Sequence, residues 1–196
     1  SAGRRLQRTI DMILSMSSVQ SGNYKATFEK FDILPDLKNM VNEFKSLSDD
    51  KGLKLKITHN EDSAFITADR YTVNQVFQNL INNAIKYTLK GYVEVYVKNI
   101  KDNKVKVEIR DSGIGMSQEY LQKMFVPFSQ EDSGYKREFE GNGLGLALVK
   151  KYLELNQAEI FVESEKNIGS VFSVIFDKEM DFSQTKEIEN KYKSFN

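Results

Sequence analysis

Apolar residues recur along this chain in two rhythms, and the switch between them divides it. In residues 4–21, Leu6, Ile10, Ile13 and Ser17 fall at helical spacing with Leu14 beside them, and Gly22 follows as a stop. That stripe has no mate in its own segment, so it reads either as a helix packed on a core or as a fragment of a longer helical hairpin. In FDILPDLKNMVNEFKSLSDDKG a second helix begins near Pro35, because proline is tolerated in a first helical turn. Leu53, Leu55 and Ile57 then alternate as a half-buried strand, and FITAD leads into a helix over residues 70–89.

Beyond Gly91 the period drops to two. Val93, Val95 and Val97 alternate, KDNK turns the chain, and Val105, Val107 and Ile109 alternate again, which predicts a hairpin. A short helix is expected from Ser117, whose hydroxyl can cap it, with a break near Pro127. SQEDSGYKREFEGN is polar and without period and reads as a mobile loop, LALVKKYLELN is a helix, and AEIFVES and SVFSVIF are strands about a turn at Gly169. The charged tail from Asp181 reads as a linker or frayed end.

Composition narrows the classes. With 196 residues, 40% of them hydrophobic, the chain can bury a full core. Lys+Arg and Asp+Glu both number 28, so no basic excess marks a nucleic-acid partner. There is no cysteine, which excludes disulfides and thiolate metal sites and fits a reducing compartment. No stretch approaches the roughly 20 apolar residues of a membrane span, and SAGRRLQRT lacks the apolar region of a signal peptide. A soluble fragment without membrane contact is expected, whether or not a longer parent is anchored.

Three clusters carry candidate chemistry. On a helical wheel of residues 73–88, Val73, Val76, Phe77, Leu80, Ile81 and Ala84 take one side and Gln75, Asn79, Asn82, Asn83 and Lys86 the other. A merely wet face would favour Lys, Glu or Gln, because each Asn costs about 0.5–0.7 kcal/mol of helix propensity relative to Ala. Asn79 and Asn83 project amide oxygens one turn apart, with Lys86 further along the stripe; neutral oxygens beside an ammonium suit a hydrated magnesium ion carrying a polyphosphate. In VEIRDSGIGM, parity puts Asp111 on the core face with Val105, Val107 and Ile109, where a carboxylate needs strong hydrogen bonds. Gly113 and Gly115 permit close approach, which fits an adenine ring with its amino donor; a plain turn is the competing reading. In GNGLGLALVKK, Gly141, Gly143 and Gly145 run into a helix and form an anion site, without the Gly-Lys-Ser or Gly-Lys-Thr end of a Walker A loop.

In order, NLINNAIKYT, DSGIGM, FVPF and GNGLGLALVK resemble the N, G1, F and G2 boxes of the sensor histidine kinases of two-component systems, over nearly all of residues 28–178 and including the closing GSVFSV. The resemblance implies an α/β two-layer sandwich of the Bergerat type, a mixed sheet backed by about three helices. Residues 1–22 would be the end of the second dimerisation-hairpin helix, 23–180 the catalytic ATP-binding domain and 181–196 a polar tail, which could lead to a receiver in a hybrid kinase. Asn83, with Asn79 alongside, would ligate magnesium, Lys86 would contact phosphate, and Asn79 and Lys86 would position the reacting group. Tyr87 would flank the adenine and Asp111 take its amino group, with Gly113, Ile114 and Gly115 shaping the pocket. Gly141, Gly143, Leu144, Gly145 and Leu146 would hold the phosphates, and Phe125 and Phe128 would hinge or pack a lid between residues 116 and 140 that contains Gly134.

The ligands implied are ATP and Mg²⁺. The partners implied are a dimerisation and histidine-phosphotransfer hairpin and a response-regulator receiver domain, with a homodimeric parent and a cytoplasmic location. The gyrase, mismatch-repair and chaperone ATPases of the same fold carry a glutamate where this chain has Asn79, and an amide is no general base, so side-chain phosphorylation is favoured over hydrolysis. An anti-sigma-factor kinase and a non-catalytic nucleotide sensor remain as alternatives. The family's acceptor histidine is followed by an acidic residue; the single histidine here, His59, is followed by Asn60 and reads as a surface residue.

Overall fold

The structure, a computed structural model, describes residues 2–131 and 142–179. Gly141, residues 132–140 of the expected lid with Gly134 among them, and the tail from Asp181 lie outside the described residues. The elements in chain order are α1 (Ala2–Gln20), β1 (Phe28–Asp32), α2 (Ile33–Glu43), α3 (Lys45–Asp50), β2 (Lys54–His59), β3 (Phe65–Asp69), α4 (Arg70–Tyr87), β4 (Tyr92–Ile100), β5 (Lys104–Asp111), α5 (Gln118–Lys123), α6 (Gly145–Leu155), β6 (Glu159–Glu165) and β7 (Gly169–Asp177).

Period-two patterning builds the main sheet. Its strand order is β2-β4-β5-β7-β6, with β2 parallel to β4 and every other pair antiparallel. Val93, Val95 and Val97 of β4, Val105, Val107 and Ile109 of β5, and Val174 and Phe176 of β7 are all buried. They meet Leu37, Met40, Val76, Phe77, Leu80, Val149 and Leu153 from α2, α4 and α6 in one core. The opposite face is polar, as expected of a sheet covered on one side. There Lys106 and Arg110 both pair with Glu108, and against its burial they hold that carboxyl below its ordinary value.

A small second sheet escaped the sequence reading. β1 and β3 pair antiparallel, Phe28 opposite Asp69 and Asp32 opposite Phe65. FEKFD is short and half charged, so its pairing is fixed by a partner 33 or more positions away rather than by its own pattern. Asp32 then caps α2, accepting from Leu34 N–H at 3.1 Å, and also accepts from Ala64 N–H at 2.9 Å. Pro35 sits in the first turn of α2 as expected, and Phe44 separates α2 from α3.

Of the two readings of the first helix, packing of its apolar stripe on this core is not what is seen. Its inward face is Met12, Met16 and Val19, while Leu6, Ile10, Ile13 and Leu14 stand exposed. The apolar stripe read from the sequence is therefore not the face that meets this core.

At the start of α4 a buried polar network joins four segments. Asp69 caps the helix by accepting from Thr72 N–H at 2.8 Å, and it also accepts from Thr27 N–H at 2.8 Å and from the Tyr24 hydroxyl. Asn156, just past α6, accepts from Asp69 N–H at 2.7 Å and donates to Thr72 Oγ1 at 2.8 Å and to Tyr152 O at 2.7 Å. Replacing Asn156 by alanine leaves the buried Asp69 N–H without its acceptor and takes one partner each from Thr72 Oγ1 and Tyr152 O, which keep others. Asn156→Ala is expected to lower unfolding free energy by about 2–3 kcal/mol, read as a fall in urea midpoint at unchanged slope.

Candidate functional site

One face of α4 lies in the core and the other carries the asparagines. Asn79 and Asn83 are half-buried, and Asn79 Nδ2 donates to Gln75 O at 3.0 Å within the helix. The Asn79 carbonyl oxygen then faces the start of α6: a Cβ on Gly145 would stand 3.1 Å from Asn79 Oδ1. The first glycine of α6 is thus what lets the two helices meet at this point. Lys86, on the last turn, rests its ammonium 3.2 Å from the Tyr87 hydroxyl and 4.8 Å from the ring centroid.

Asp111 ends β5 beside the same helix terminus. Parity places it as the alternation predicts, between Val93 of β4 and Ser170 of β7. Burial pushes its carboxyl up from 3.8 to about 6, while hydrogen bonds from the Gly113 and Ser170 backbone N–H groups oppose the shift; the Gly113 bond is 2.8 Å. A half-buried acid with these two N–H donors keeps lone pairs available for a further donor.

The glycines explain how close the strands come. A Cβ on Gly113 would fall 2.6 Å from Tyr87 O and 2.7 Å from Asp111 Oδ1. Ile114 N–H donates to Tyr87 O at 3.1 Å, which ties the segment after β5 to the end of α4. At φ 62 the bare Cα of Gly115 meets the Glu165 carbonyl, so it seats the turn between β6 and β7.

The second glycine run is joined to the FVPF turn. Gly143 accepts from Phe128 N–H at 3.0 Å, and at φ 68 its Cα lies against the Phe128 backbone. Phe125 packs on the core, whereas Phe128, at φ 64, is exposed. Asn142 Oδ1 accepts from Leu144 N–H at 3.1 Å, and its amide donates to Thr9 Oγ1 of α1 at 3.2 Å. Leu144 is buried and Leu146 packs on the core edge. Both leucines thus turn their apolar side chains inward at the glycine loop.

Two residues outside the sequence reading complete the arrangement. Gly169 sits at φ 136 with its Cα so near Asp111 O that a Cβ would stand 2.0 Å away. Thr88 is wholly buried and donates through Oγ1 to Ala84 O at 2.7 Å. Both lay inside stretches singled out in the sequence, GSVFSV and QNLINNAIKYT, but their contacts are long-range or depend on the helix end.

The result is an arc: Asp111 and Gly113, the end of α4 with Lys86 and Tyr87, Asn83 and Asn79 along the helix, then Gly145 to Gly143. It presents a half-buried acceptor at one end and helix-start amides at the other, with neutral amide oxygens between. Among the described residues no cluster of three or more His, Cys, Asp or Glu could hold a metal ion. The side chains of Asn79 and Asn83 offer neutral oxygen donors, a set that fits a hard cation whose charge other ligands meet. His59 ends β2, where Nδ1 lies 2.6 Å from Glu61 O, and takes no part in the arc.

Residues 68–180 match the family described as histidine kinase-, DNA gyrase B-, and HSP90-like ATPase. Over 179 residues the chain is 32% identical to the autoinducer 2 sensor kinase/phosphatase LuxQ of Vibrio parahaemolyticus, covering 88% of this chain and 21% of that one. It is also 32% identical to hybrid signal transduction histidine kinase B of Dictyostelium discoideum, over 88% of this chain and 9% of the relative. The chain thus spans about a fifth or less of the length of these relatives. Among solved structures, full-length ShkA in complex with AMPPNP matches with TM-score 0.80 at 22% identity, over 89% of this chain and 36% of that one. The catalytic domain of the histidine kinase ThkA matches with TM-score 0.67 at 25% identity, over 78% of this chain and 96% of that one. This chain accordingly belongs to the histidine kinase-, DNA gyrase B- and HSP90-like ATPase family, and the relatives and solved structures it resembles are histidine kinases.

Proposed function

We propose that this chain binds Mg-ATP along the arc and transfers the γ-phosphoryl group to a histidine on a dimerisation hairpin, for relay to an aspartate of a response-regulator receiver. The observation that carries the reading is Asp111, a half-buried carboxyl beside the end of α4. Adenine supplies an amino donor for it, Tyr87 a flanking ring, and Gly113 the room. Asn79 and Asn83 would hold the magnesium ion, which when bound neutralises phosphate charge and orients the transferred group. Lys86 adds positive charge, and the amides at the start of α6, beginning at Gly145 and preceded by Gly143, favour the anion.

Catalysis in this reading is positional and electrostatic. Asn79 orients and does not activate water, which favours transfer over hydrolysis. The acceptor imidazole comes from the hairpin, whose second helix would end in α1 within residues 1–22, with residues 23–180 as the catalytic unit. ThkA has been solved in complex with the response regulator protein TrrA, which supports a receiver as the next partner. The same reading places the domain in the cytoplasm, in a homodimeric parent.

Calorimetry with a non-hydrolysable ATP analogue tests the reading first. Binding is expected to strengthen with Mg²⁺, and Asp111→Asn is expected to weaken it about tenfold to hundredfold, the net worth of a hydrogen bond to a charged group. Asn83→Ala should abolish the gain that magnesium gives while leaving magnesium-free binding within about twofold. Mixing the chain with a separately produced hairpin and ATP should then yield acid-labile phosphohistidine; failure with both components folded would favour the non-catalytic sensor.

The carboxyl near 6 adds a pH dependence. Adenosine, which has no phosphate to titrate, should bind through ionised Asp111 and lose affinity by roughly tenfold per unit once pH falls below about 6. In the free protein the sign reverses. Because the folded value lies above 3.8, Asp111 favours folding at low pH, and that contribution is lost as pH rises through about 6. Asp111→Asn should flatten both profiles between pH 5 and 7, measured by titration calorimetry and by thermal unfolding.

A further inference from the structure

An α-helix leaves its last four carbonyl groups without partners inside the helix. At the end of α4 all four are met, and from three separate parts of the chain. Ala84 O accepts from Thr88, through N–H at 3.1 Å and through Oγ1 at 2.7 Å. Tyr87 O accepts from Ile114 N–H at 3.1 Å. The two between them are held by a single side chain: Lys51 Nζ donates to Ile85 O at 2.7 Å and to Lys86 O at 2.9 Å.

Lys51 itself is well seated. It follows α3 directly, its N–H donates to Ser48 O at 3.2 Å, and Gly52 at φ 68 turns the chain so that Leu53 enters the core. Lys54 N–H then donates to Gly91 O at 3.0 Å, which docks the same loop beside the turn that leaves α4. The ammonium is thus delivered to the helix end from a braced loop, and its charge complements the partial negative charge there.

Helix ends fray, and the carbonyls that Lys51 holds belong to the turn bearing Lys86 and Tyr87. Fixing the Lys86 carbonyl fixes the peptide plane next to the Lys86 Cα and so the direction in which that side chain leaves the helix. We propose that Lys51 is a positioning residue for nucleotide binding: it touches no ligand, and by clamping Ile85 O and Lys86 O it sets the direction in which Lys86 leaves the helix. The inference rests on the Mg-ATP reading above.

The test compares Lys51→Met, which keeps the stem and removes the ammonium, with Lys51→Arg, which restores donors, and with Lys38→Met as a control for lost surface charge. Affinity for the magnesium complex of a non-hydrolysable ATP analogue is measured at a temperature where every variant is fully folded by circular dichroism. Lys51→Met should bind about five- to tenfold more weakly, Lys51→Arg should return to within about twofold of the unaltered chain, and Lys38→Met should not change it. A residue that only stabilises the fold would lower the melting temperature and leave affinity at that temperature intact. In a Lys86→Ala background the further effect of Lys51→Met should shrink below about twofold, because the side chain it positions is gone. If Lys51→Met does not fold, Lys51→Gln carries the same comparison. Unchanged affinity in the folded variant, or a full loss that persists without Lys86, overturns the proposal. Absence of binding by the unaltered chain overturns the Mg-ATP reading instead, and the proposal with it.

Discussion

The arrangement depends on a carboxylate held where the core would ordinarily exclude it. Asp111 continues the inward-facing row of Val105, Val107 and Ile109, at the point where β5 leaves the sheet. An acid there is tolerable only with strong hydrogen bonds, and the structure supplies backbone N–H groups from Gly113 and Ser170. Neither could come close if the neighbouring positions carried side chains. Gly113 lets the strand exit fold back beside the carboxyl and Tyr87 O, and Gly169 lets the start of β7 press on the Asp111 backbone. The elevated carboxyl value records the cost of that burial.

α4 turns this local constraint into a site. Its apolar face is fixed by the sheet, its start by the Asp69 and Asn156 network, and its end by Thr88, Ile114 and Lys51. With rotation and both ends set, the asparagine face has one direction to point, toward the glycine at the start of α6. Helix propensity given up at Asn79, Asn82 and Asn83 is offset by packing on the other face rather than by anything local.

The parts read correctly from sequence were those whose signal is local. Alternation gave β4, β5 and β7, the 3.6-residue period gave α4 and α6, and Ser117 was legible as a cap because Ser at a helix start accepts a nearby N–H, here from Tyr120 at 3.2 Å. β1 was missed because FEKFD has no clean alternation and exists through its pairing with β3. The stripe of Leu6, Ile10, Ile13 and Leu14 was found, but a stripe states that a face is apolar and not what covers it; in this chain Met12, Met16 and Val19 make the contact. That Gly115 also seats the β6–β7 turn was not legible, because the close approach to Glu165 is a contact between segments far apart in the chain.

The sequence by itself determined which chemistry the chain carries: the asparagine face, the carboxylate at a strand end and the glycine runs are matters of residue type and period, and these are local. Tertiary structure alone decided how they meet. It brought the α4 terminus to Gly113, set Asn79 against Gly145, pressed Gly169 on Asp111 and delivered Lys51 to two carbonyls 34 and 35 positions away. Those contacts join segments far apart in the chain, and their geometry is set by the one core that packs the sheet against α2, α4 and α6, so no window of sequence contains it.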